Sequence, residues 1–177
     1  MRFAKITLRT TVTALVFCSA LTLGCGGDST GPDSGQNQGG EFYVRFRANG
    51  TQVVFNLPNN ELATFDKIGS EFHFGTSGAA ANGNNISLAV FDVAAITTAS
   101  YVGLTTVNSS GGYRLAEILY TVGGVQYENT DANQDHRITI TEITPTTVKG
   151  TFSGTMKASG RPNISITNGE FYTKRIN

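Results

Sequence analysis

The stretch FYVRFR, from Phe42 to Arg47, alternates apolar side chains with polar or amphipathic ones, and this alternation decides the fold. Successive side chains of a β-strand point to opposite faces of a sheet, so a period of two indicates a half-buried strand. Asn49-Gly50 follows, and both residues tolerate the positive φ of a tight turn. The folded part of the chain is therefore predicted to begin with a β-hairpin whose second strand runs over 51–57.

The same period of two recurs toward the C-terminus, interrupted by Gly, Asn, Pro and Ser. No window repeats apolar residues at helical spacing, so helix is expected to be absent or limited to a turn near Ala94. Roughly eight to ten short strands with regularly spaced turns predict an all-β protein, either an antiparallel β-sandwich or a barrel. The further strand segments are predicted over 63–67, 71–76, 86–93, 100–105, 113–122, 125–129, 137–144, 148–157, 164–167 and 170–175.

The predicted core consists of large apolar side chains, each worth about 1.5–3 kcal/mol when fully buried. Residues 86–93 are apolar enough to form a central strand covered on both sides. His73 lies between two core-facing phenylalanines, so its side chain is predicted to face solvent. The core residues are expected to be Phe46, Phe55, Phe72, Phe74, Leu88, Val90, Leu115, Leu119, Ile140, Phe152, Ile166 and Phe171.

The first 24 residues have the order of a signal peptide. Three basic residues precede an apolar run over 10–23, which is shorter than the ~20 apolar residues of a membrane span. Gly24-Cys25 follows the run and resembles the lipobox of bacterial lipoproteins. The resemblance implies cleavage before Cys25 and acylation of its thiol. The alternative is ordinary secretion with cleavage after Ala20, which leaves Cys25 as a free thiol.

Cleavage before Cys25 divides the chain into a signal peptide (1–24), a lipidated cysteine with its tether (25–40) and a β-sandwich domain (41–177). The tether is rich in glycine and polar residues and contains no large apolar residue, so it is predicted to be flexible. Fifteen such residues span roughly 20 Å on average and about 50 Å when fully extended. Two or more acyl chains hold a protein stably on a membrane. Because the tether is long and flexible, the domain is expected to stand off the membrane surface and to reorient.

The composition of the mature chain narrows the possible partners. Loss of the three basic residues in the leader leaves 10 Lys and Arg against 13 Asp and Glu. Because nucleic-acid binding needs clustered basic residues, this excess of acidic residues argues against nucleic acid as a partner. The cysteines are Cys18 and Cys25 alone, so the folded domain has no disulfide although disulfides form readily outside the cytoplasm. Its stability must therefore come from burial and backbone pairing.

Three segments of the C-terminal third resemble a group of uncharacterised bacterial lipoprotein domains: ITITE at 138–142, VKGTFSG at 148–154 and ISITNGEF at 164–171. In that group the segments look like the terminal strands of a β-sandwich, and Asn168-Gly169 corresponds to the start of the last turn. The 46–55 hairpin is similar to the opening segment of the group. The resemblance implies a β-sandwich and an envelope location, and it implies no active-site residues.

One loop contains a candidate metal site. Residues 131–142 match the twelve-residue calcium loop at positions 1, 3, 5, 8 and 12, where side-chain oxygens converge on a hard cation. His136 replaces the usual glycine at position 6, and the strand pattern of 138–141 carries Glu142 about 13 Å beyond Ile138, out of reach. The calcium ligands are then Asp131, Asn133, Asp135 and the Arg137 carbonyl. The alternative is a solvated polar hairpin loop that binds no metal.

No motif in the sequence specifies a reaction. The two histidines, His73 and His136, are far apart, and the chain contains no nucleophile elbow, zinc-protease helix or cysteine pair. Glu117 and Glu128 are candidates for the paired carboxylates of a hydrolase acting on envelope glycans. The sequence favours a protein that is not an enzyme, with the hydrolase kept as an alternative.

Two other roles are open. A binding module presents exposed aromatic side chains to a glycan or an envelope protein. A scaffold pairs through an exposed edge strand, with Arg45 and Arg47, or Lys174 and Arg175, guarding the edges. The candidate aromatic residues are Tyr43, Tyr113, Tyr120, Tyr127 and Tyr172.

Together these features predict a membrane-anchored, extracytoplasmic bacterial lipoprotein in the cell envelope, held by its N-terminal lipid in the outer membrane on the periplasmic or the surface face. Its expected role is a non-catalytic binding or envelope-scaffold module. A calcium-stabilised, adhesin-like module that binds surface carbohydrate or protein is the alternative, and no cofactor other than calcium is indicated.

Mass spectrometry of the protein purified from membranes is expected to find Cys25 as an acylated N-terminus. Cys25→Ser should move the protein from the membrane pellet to the soluble fraction, because the acyl chains provide the anchor. Cys18→Ser is the matched control and should leave mass and location unchanged, since Cys18 lies in the predicted leader. An unmodified amino end upstream of Cys25 contradicts lipidation.

Overall fold

The computed structural model describes residues 41–57, 62–106, 112–129 and 135–176. Within these ranges no segment is helical, so none is a helix long and apolar enough to cross a membrane. The strands are β1 (Phe42–Ala48), β2 (Thr51–Leu57), β3 (Leu62–Ile68), β4 (Glu71–Ala79), β5 (Asn85–Asp92), β6 (Ser100–Val102), β7 (Thr105–Thr106), β8 (Tyr113–Val122), β9 (Val125–Glu128), β10 (Arg137–Ile143), β11 (Thr147–Met156) and β12 (Ile164–Ile176).

The 13-residue strand β12 is the centre of a first sheet. One of its edges pairs with β11 along nearly the whole strand, and the other edge pairs with β1. The sheet continues beyond β1 with β2 and beyond β11 with β10 and β6. All these pairs are antiparallel, and the order of the first sheet is therefore β2-β1-β12-β11-β10-β6.

The second sheet has the order β3-β4-β5-β8, with β9 and the short β7 on the far edge of β8. Backbone pairing links it to the first sheet at two places. The end of β12 pairs in parallel with β3, Lys174 opposite Leu62. At the end of β9, Glu128 exchanges two backbone hydrogen bonds of 2.8 and 2.9 Å with Lys157. The two layers are thus joined by hydrogen bonds as well as by side-chain packing.

Aromatic rings from the two sheets meet in the core between them. Phe46 of β1 lies edge-on to Tyr120 of β8 with ring centroids 5.2 Å apart, and Phe74 of β4 lies 5.8 Å from Phe171 of β12. These four side chains are at most 3 % exposed. Their removal from water supplies much of the free energy that holds the layers together.

Strand β12 contains one extra residue relative to both of its neighbours. The register shifts by one residue against β1 and, at the same place, against β11. Asn168 has a positive φ of 51° there, which is typical of a β-bulge. Residues five apart in a regular strand point to opposite faces, yet Ile166 and Phe171 are both buried, because the bulge resets the alternation.

The all-β class and the sandwich-like arrangement are confirmed. The Asn49-Gly50 and Gly123-Gly124 turns have the expected positive φ at all four residues. The described ranges contain twelve strands rather than eight to ten, and 100–105 divides into β6 and β7. The two predicted segments 164–167 and 170–175 are one continuous strand, so the Asn168-Gly169 turn implied by the family resemblance is wrong, and this pair forms the bulge instead.

Most of the predicted core residues are buried, but the predicted inward face of β8 is wrong. Leu115 and Leu119 are half-exposed on its outer face, and Phe72 at the end of β4 is also only half-buried. Both faces of β8 carry apolar residues, and a shift of one residue exchanges them, so the pattern alone does not select the face. The residues that β8 buries are Ala116, Ile118 and Tyr120.

The outer face of the second sheet is half-exposed. Strand β5 lies between β4 and β8, as expected of a central strand, but only one of its faces is buried, so the prediction that both are covered is wrong. His73 of β4 lies on the half-exposed face with a side chain 22 % exposed. Its ring packs 4.8 Å from that of Phe91, so the cross-strand neighbour covers a side chain that was expected to extend into solvent.

The predicted edge guards lie in the interior of the first sheet. Arg45 and Arg47 are on β1, between β2 and β12, while Lys174 and Arg175 are on β12 where it pairs with β11 and β3. Within the described ranges β2 pairs with β1 alone. Strand β2 is therefore an edge strand, and its sequence TQVVFNL contains no charged residue.

Gly169→Ala is expected to destabilise the domain by about 1–3 kcal/mol or more, because overpacking a tight contact forces backbone shifts. A Cβ at Gly169 would overlap the carbonyl and the ring of Phe152 on β11. Gly75→Ala is the matched control, since a Cβ there would lie 3.5 Å from the Thr64 hydroxyl, an ordinary contact. Urea unfolding measures both, and equal midpoints would contradict the close pairing of β11 and β12.

Candidate functional site

The outer face of the first sheet is polar and aromatic because the inward positions of its strands hold the apolar residues. Along β1, Val44 and Phe46 are buried, so Tyr43, Arg45 and Arg47 point outward. The strand register extends this outward set across the neighbouring strands. The outward neighbours are Gln52, Glu170, Tyr172, Lys149, Thr151, Ser153 and Arg137.

Two adjoining depressions lie on this face where β12 bulges. The smaller has a volume of about 260 Å³ and lies between β1 and β12. The larger, of about 550 Å³, lies over β12 and β11 and reaches Arg137 of β10. Asn168 and Glu170 line both depressions, so the two depressions form one groove across five strands, from β2 to β10. We call it the bulge groove, and its walls are Arg45, Arg47, Gln52, Arg137, Thr151, Ser153, Thr167, Asn168 and Glu170.

Two glycine–phenylalanine contacts fix the floor of the bulge groove. Phe152 of β11 packs against the backbone of Gly169, and Phe171 of β12 packs in the same way against Gly150. A side chain at either glycine would occupy the place of the ring. The backbone beneath the groove is therefore held by the core, which keeps the outward side chains in position.

Arg45 and Glu170 form an ion pair in the wall of the groove. Nε and Nη2 of Arg45 both donate to Oε2 of Glu170, at 2.9 and 2.5 Å. The hydrogen bond to Glu170 raises the pKa of Arg45, whose guanidinium also lies 4.5 Å from the centroid of the Tyr43 ring. The two side chains are 46 % and 44 % exposed, and exposed pairs contribute only about 0–1 kcal/mol to stability. The pair therefore orients groups at the groove more than it stabilises the fold.

Arg47 and Arg137 stand on opposite sides of the groove. Arg47 Nη1 donates to the Gly50 carbonyl at 2.9 Å, and Arg137 Nη1 donates to the Ser100 hydroxyl at 3.0 Å. No ion pair joins either guanidinium to a carboxylate in the described ranges. Their strands, β1 and β10, are three inter-strand spacings apart, which corresponds to roughly 14 Å.

The structure separates the five candidate tyrosines. Tyr43 and Tyr172 lie together on the outer face of the first sheet with ring centroids 6.3 Å apart. Each is two residues from a member of the Arg45–Glu170 pair, so they border the bulge groove. Tyr120 and Tyr127 belong to the core at 3 % and 8 % exposure. Tyr113 lies on the second sheet, where burial and then a hydrogen bond with Glu71 raise its pKa.

The predicted calcium loop is only partly described. Asp131 and Asn133 lie outside the described residues. Asp135 is exposed, and its Oδ1 accepts a 3.5 Å hydrogen bond from the Thr155 N–H, while Arg137 is the first residue of β10. Glu142 lies on the same strand and pairs with Lys149 at 3.3 Å, away from the loop, as expected.

His136, at position 6 of that loop, is fully buried. Its Nε2 lies 3.0 Å from the Ala116 carbonyl and 3.0 Å from Asn129 Nδ2. Apart from glycines, Asn49 and Asn168 are the described residues with positive φ, so His136 does not make the turn that glycine makes in a helical calcium loop. The described part of the chain holds no group of three or more His, Cys, Asp or Glu that could bind a metal. The four-ligand calcium site stays a prediction.

The outer face of the second sheet has the opposite charge. Register places Asp66, Glu71, Glu117 and Glu128 on it, and the one cation that pairing places beside them in the described ranges is Lys157, opposite Glu128. Glu117 and Glu128, the candidate paired carboxylates, lie diagonally across β8 and β9, because Glu128 is opposite Leu119. They are on the side of the domain that faces away from the bulge groove.

Comparison of the chain with known protein families, with curated protein sequences and with solved structures finds no match.

Sequence analysis identified Tyr43, Tyr172 and Arg137 as candidates by residue type but did not find the groove that brings them to one face. Arg45 and Arg47 were named there only as edge guards, and the groove residues not named as candidates are Gln52, Thr151, Ser153, Thr167, Asn168 and Glu170. Asn168-Gly169 inside a β-branched run is the local signal that could have indicated it, because such a pair within a strand is typical of a bulge.

A calcium titration distinguishes the two hypotheses for the 131–142 loop. Binding at a concentration ten times the dissociation constant stabilises the folded state by about 1.4 kcal/mol, so the calcium hypothesis predicts a rising melting temperature. Asp135→Asn should abolish the rise, while Asp66→Asn, an exposed carboxylate on the other sheet, should leave it intact. The solvated-loop hypothesis predicts no shift at millimolar calcium.

Proposed function

We propose that this chain is a membrane-anchored, extracytoplasmic bacterial lipoprotein whose β domain is a non-catalytic binding module, with the bulge groove as its binding surface. The basic start, the apolar run and Gly24-Cys25 support the lipid anchor. The Gly-rich segment 26–40 supports a tether that lets the domain reach ligands at some distance from the membrane.

The observation that carries the proposal is the grouping of an aromatic pair, three arginines and a groove on one sheet face. The rings of Tyr43 and Tyr172 offer apolar surface beside the groove. Guanidinium, hydroxyl and amide groups around Asn168 offer hydrogen bonds directed out of the sheet. This combination suits a hydroxyl-rich ligand such as an oligosaccharide, which presents both apolar ring faces and polar edges.

The fold itself makes little use of these side chains. Arg47 and Arg137 each donate one hydrogen bond in the described structure, although a guanidinium has five N–H donors. Surface substitutions away from packed features usually change stability by no more than about 0.5 kcal/mol. Stability therefore does not explain why the groups converge, whereas binding does.

A second candidate function is an envelope scaffold that pairs through β2. This edge strand has no charged or proline residue to discourage pairing, and Val54 is 39 % exposed on it. A strand from another chain could add to the free edge through main-chain hydrogen bonds.

Glycan-array binding of the purified full-length protein is expected to detect a defined subset of glycans. Tyr43→Ala should weaken that binding by roughly 2- to 10-fold, because aromatic packing of this kind is worth about 0.5–1.5 kcal/mol. Tyr113→Ala is the matched control, since Tyr113 lies on the outer face of the other sheet and should leave binding unchanged. A melting curve of each variant confirms that it is folded.

If the wild type and Tyr43→Ala bind glycans equally well, the bulge groove is not the glycan-binding surface. Absence of any bound glycan, together with self-association in size-exclusion chromatography that Val54→Lys abolishes, would favour the β2 scaffold instead.

A further inference from the structure

We propose that the bulge groove binds an acidic polysaccharide, a sugar chain whose units carry carboxylates. This inference rests on the proposed function, because it names the ligand class for the same binding surface. Its basis is the placement of the cationic side chains and the segregation of charge between the two faces of the domain.

Arg47 and Arg137 provide two anchoring points for a polymeric anion. They stand on β1 and β10 at either side of the groove, roughly 14 Å apart. Neither has a carboxylate partner in the described ranges. A planar guanidinium binds a carboxylate through two parallel N–H···O bonds. A ligand with carboxylates at intervals can therefore contact both arginines while its sugar rings cross the groove.

The centre of the groove already contains this kind of contact. The Glu170 carboxylate accepts two hydrogen bonds from Arg45, whose guanidinium lies over the Tyr43 ring. Lys149 lies 5.0 Å from the centroid of the neighbouring Tyr172 ring. Because Glu170 is neutralised by Arg45, it presents little net repulsion to an incoming anion. The hydroxyl and amide groups of Thr151, Thr167 and Asn168 remain beside it for the sugar hydroxyls.

The charge of the two outer faces favours an anion at the groove and disfavours it elsewhere. On the outer face of the first sheet, five cationic side chains outnumber the two strand carboxylates of Glu142 and Glu170; they are Arg45, Arg47, Arg137, Lys149 and Lys174. The outer face of the second sheet carries four carboxylates at its described positions and one cation, Lys157 opposite Glu128. Such segregation steers an acidic polymer to one side of a mature chain in which 13 Asp and Glu outnumber 10 Lys and Arg. A neutral glycan gives no reason for this arrangement.

Titration calorimetry with polygalacturonate and alginate tests the inference, using purified full-length protein in a neutral detergent at physiological ionic strength without calcium. We expect binding to both polymers and much weaker binding to methyl-esterified polygalacturonate, which has the same backbone without the charge. Arg47→Gln/Arg137→Gln should weaken binding about tenfold or more, because two guanidinium–carboxylate contacts are lost. Arg161→Gln/Lys174→Gln removes the same charge at exposed positions outside the groove and should change binding little.

Three results would overturn the inference. An equal loss of binding in the two double variants would show attraction by net charge alone. Equal binding of the esterified and the acidic polymer would show that carboxylates are not recognised, and the groove would remain a carbohydrate site. Absence of binding to both acidic polymers would exclude the ligand class, while neutral glycans bound on the array and lost in Tyr43→Ala would still support the proposed function.

Discussion

The pairing of β12 on both of its edges is the constraint on which the rest of the structure depends. Strand β11 occupies one edge, while β1 and then β3 occupy the other, so a single strand makes hydrogen bonds with both sheets. Gly150 and Gly169 let phenylalanine rings lie against the backbone at the centre of the first sheet. The position of every other described strand is defined relative to this one, either directly or through a chain of at most four intervening strands.

The one extra residue in β12 links the packing of the core to the position of the bulge groove on the surface. The bulge at Asn168 keeps Ile166 and Phe171 in the core, and the same distortion accompanies the groove on the outer face. The outward groups of the groove therefore take their positions from the packing beneath them. The tyrosine pair and the arginines project from three strands, β1, β12 and β10, that the core holds at fixed spacing, so these groups are arranged before any ligand could bind.

The strands could be predicted from the sequence because alternation and turn residues are local signals. Asn49-Gly50 and Gly123-Gly124 mark their hairpins directly. The inward face of β8 could not be predicted, because Leu115 and Leu119 alternate as regularly as Ala116 and Ile118, and only pairing with β5 decides between them. The groove could not be predicted either, because Arg47 and Arg137 come to its two sides through the pairing of β1 with β12, β12 with β11 and β11 with β10, which no local pattern encodes.

The position of β12 late in the sequence affects how the domain folds during its synthesis. Among the strands of the described ranges it is the last in sequence, yet β1, the first of them, lies beside it. A growing chain therefore lacks the middle of its first sheet until residues 164–176 have been released, and pairing between segments so distant in sequence is slow. This topology therefore delays compaction of the first sheet until β12 has emerged, and chains that lack β12 would expose unpaired strands to proteases.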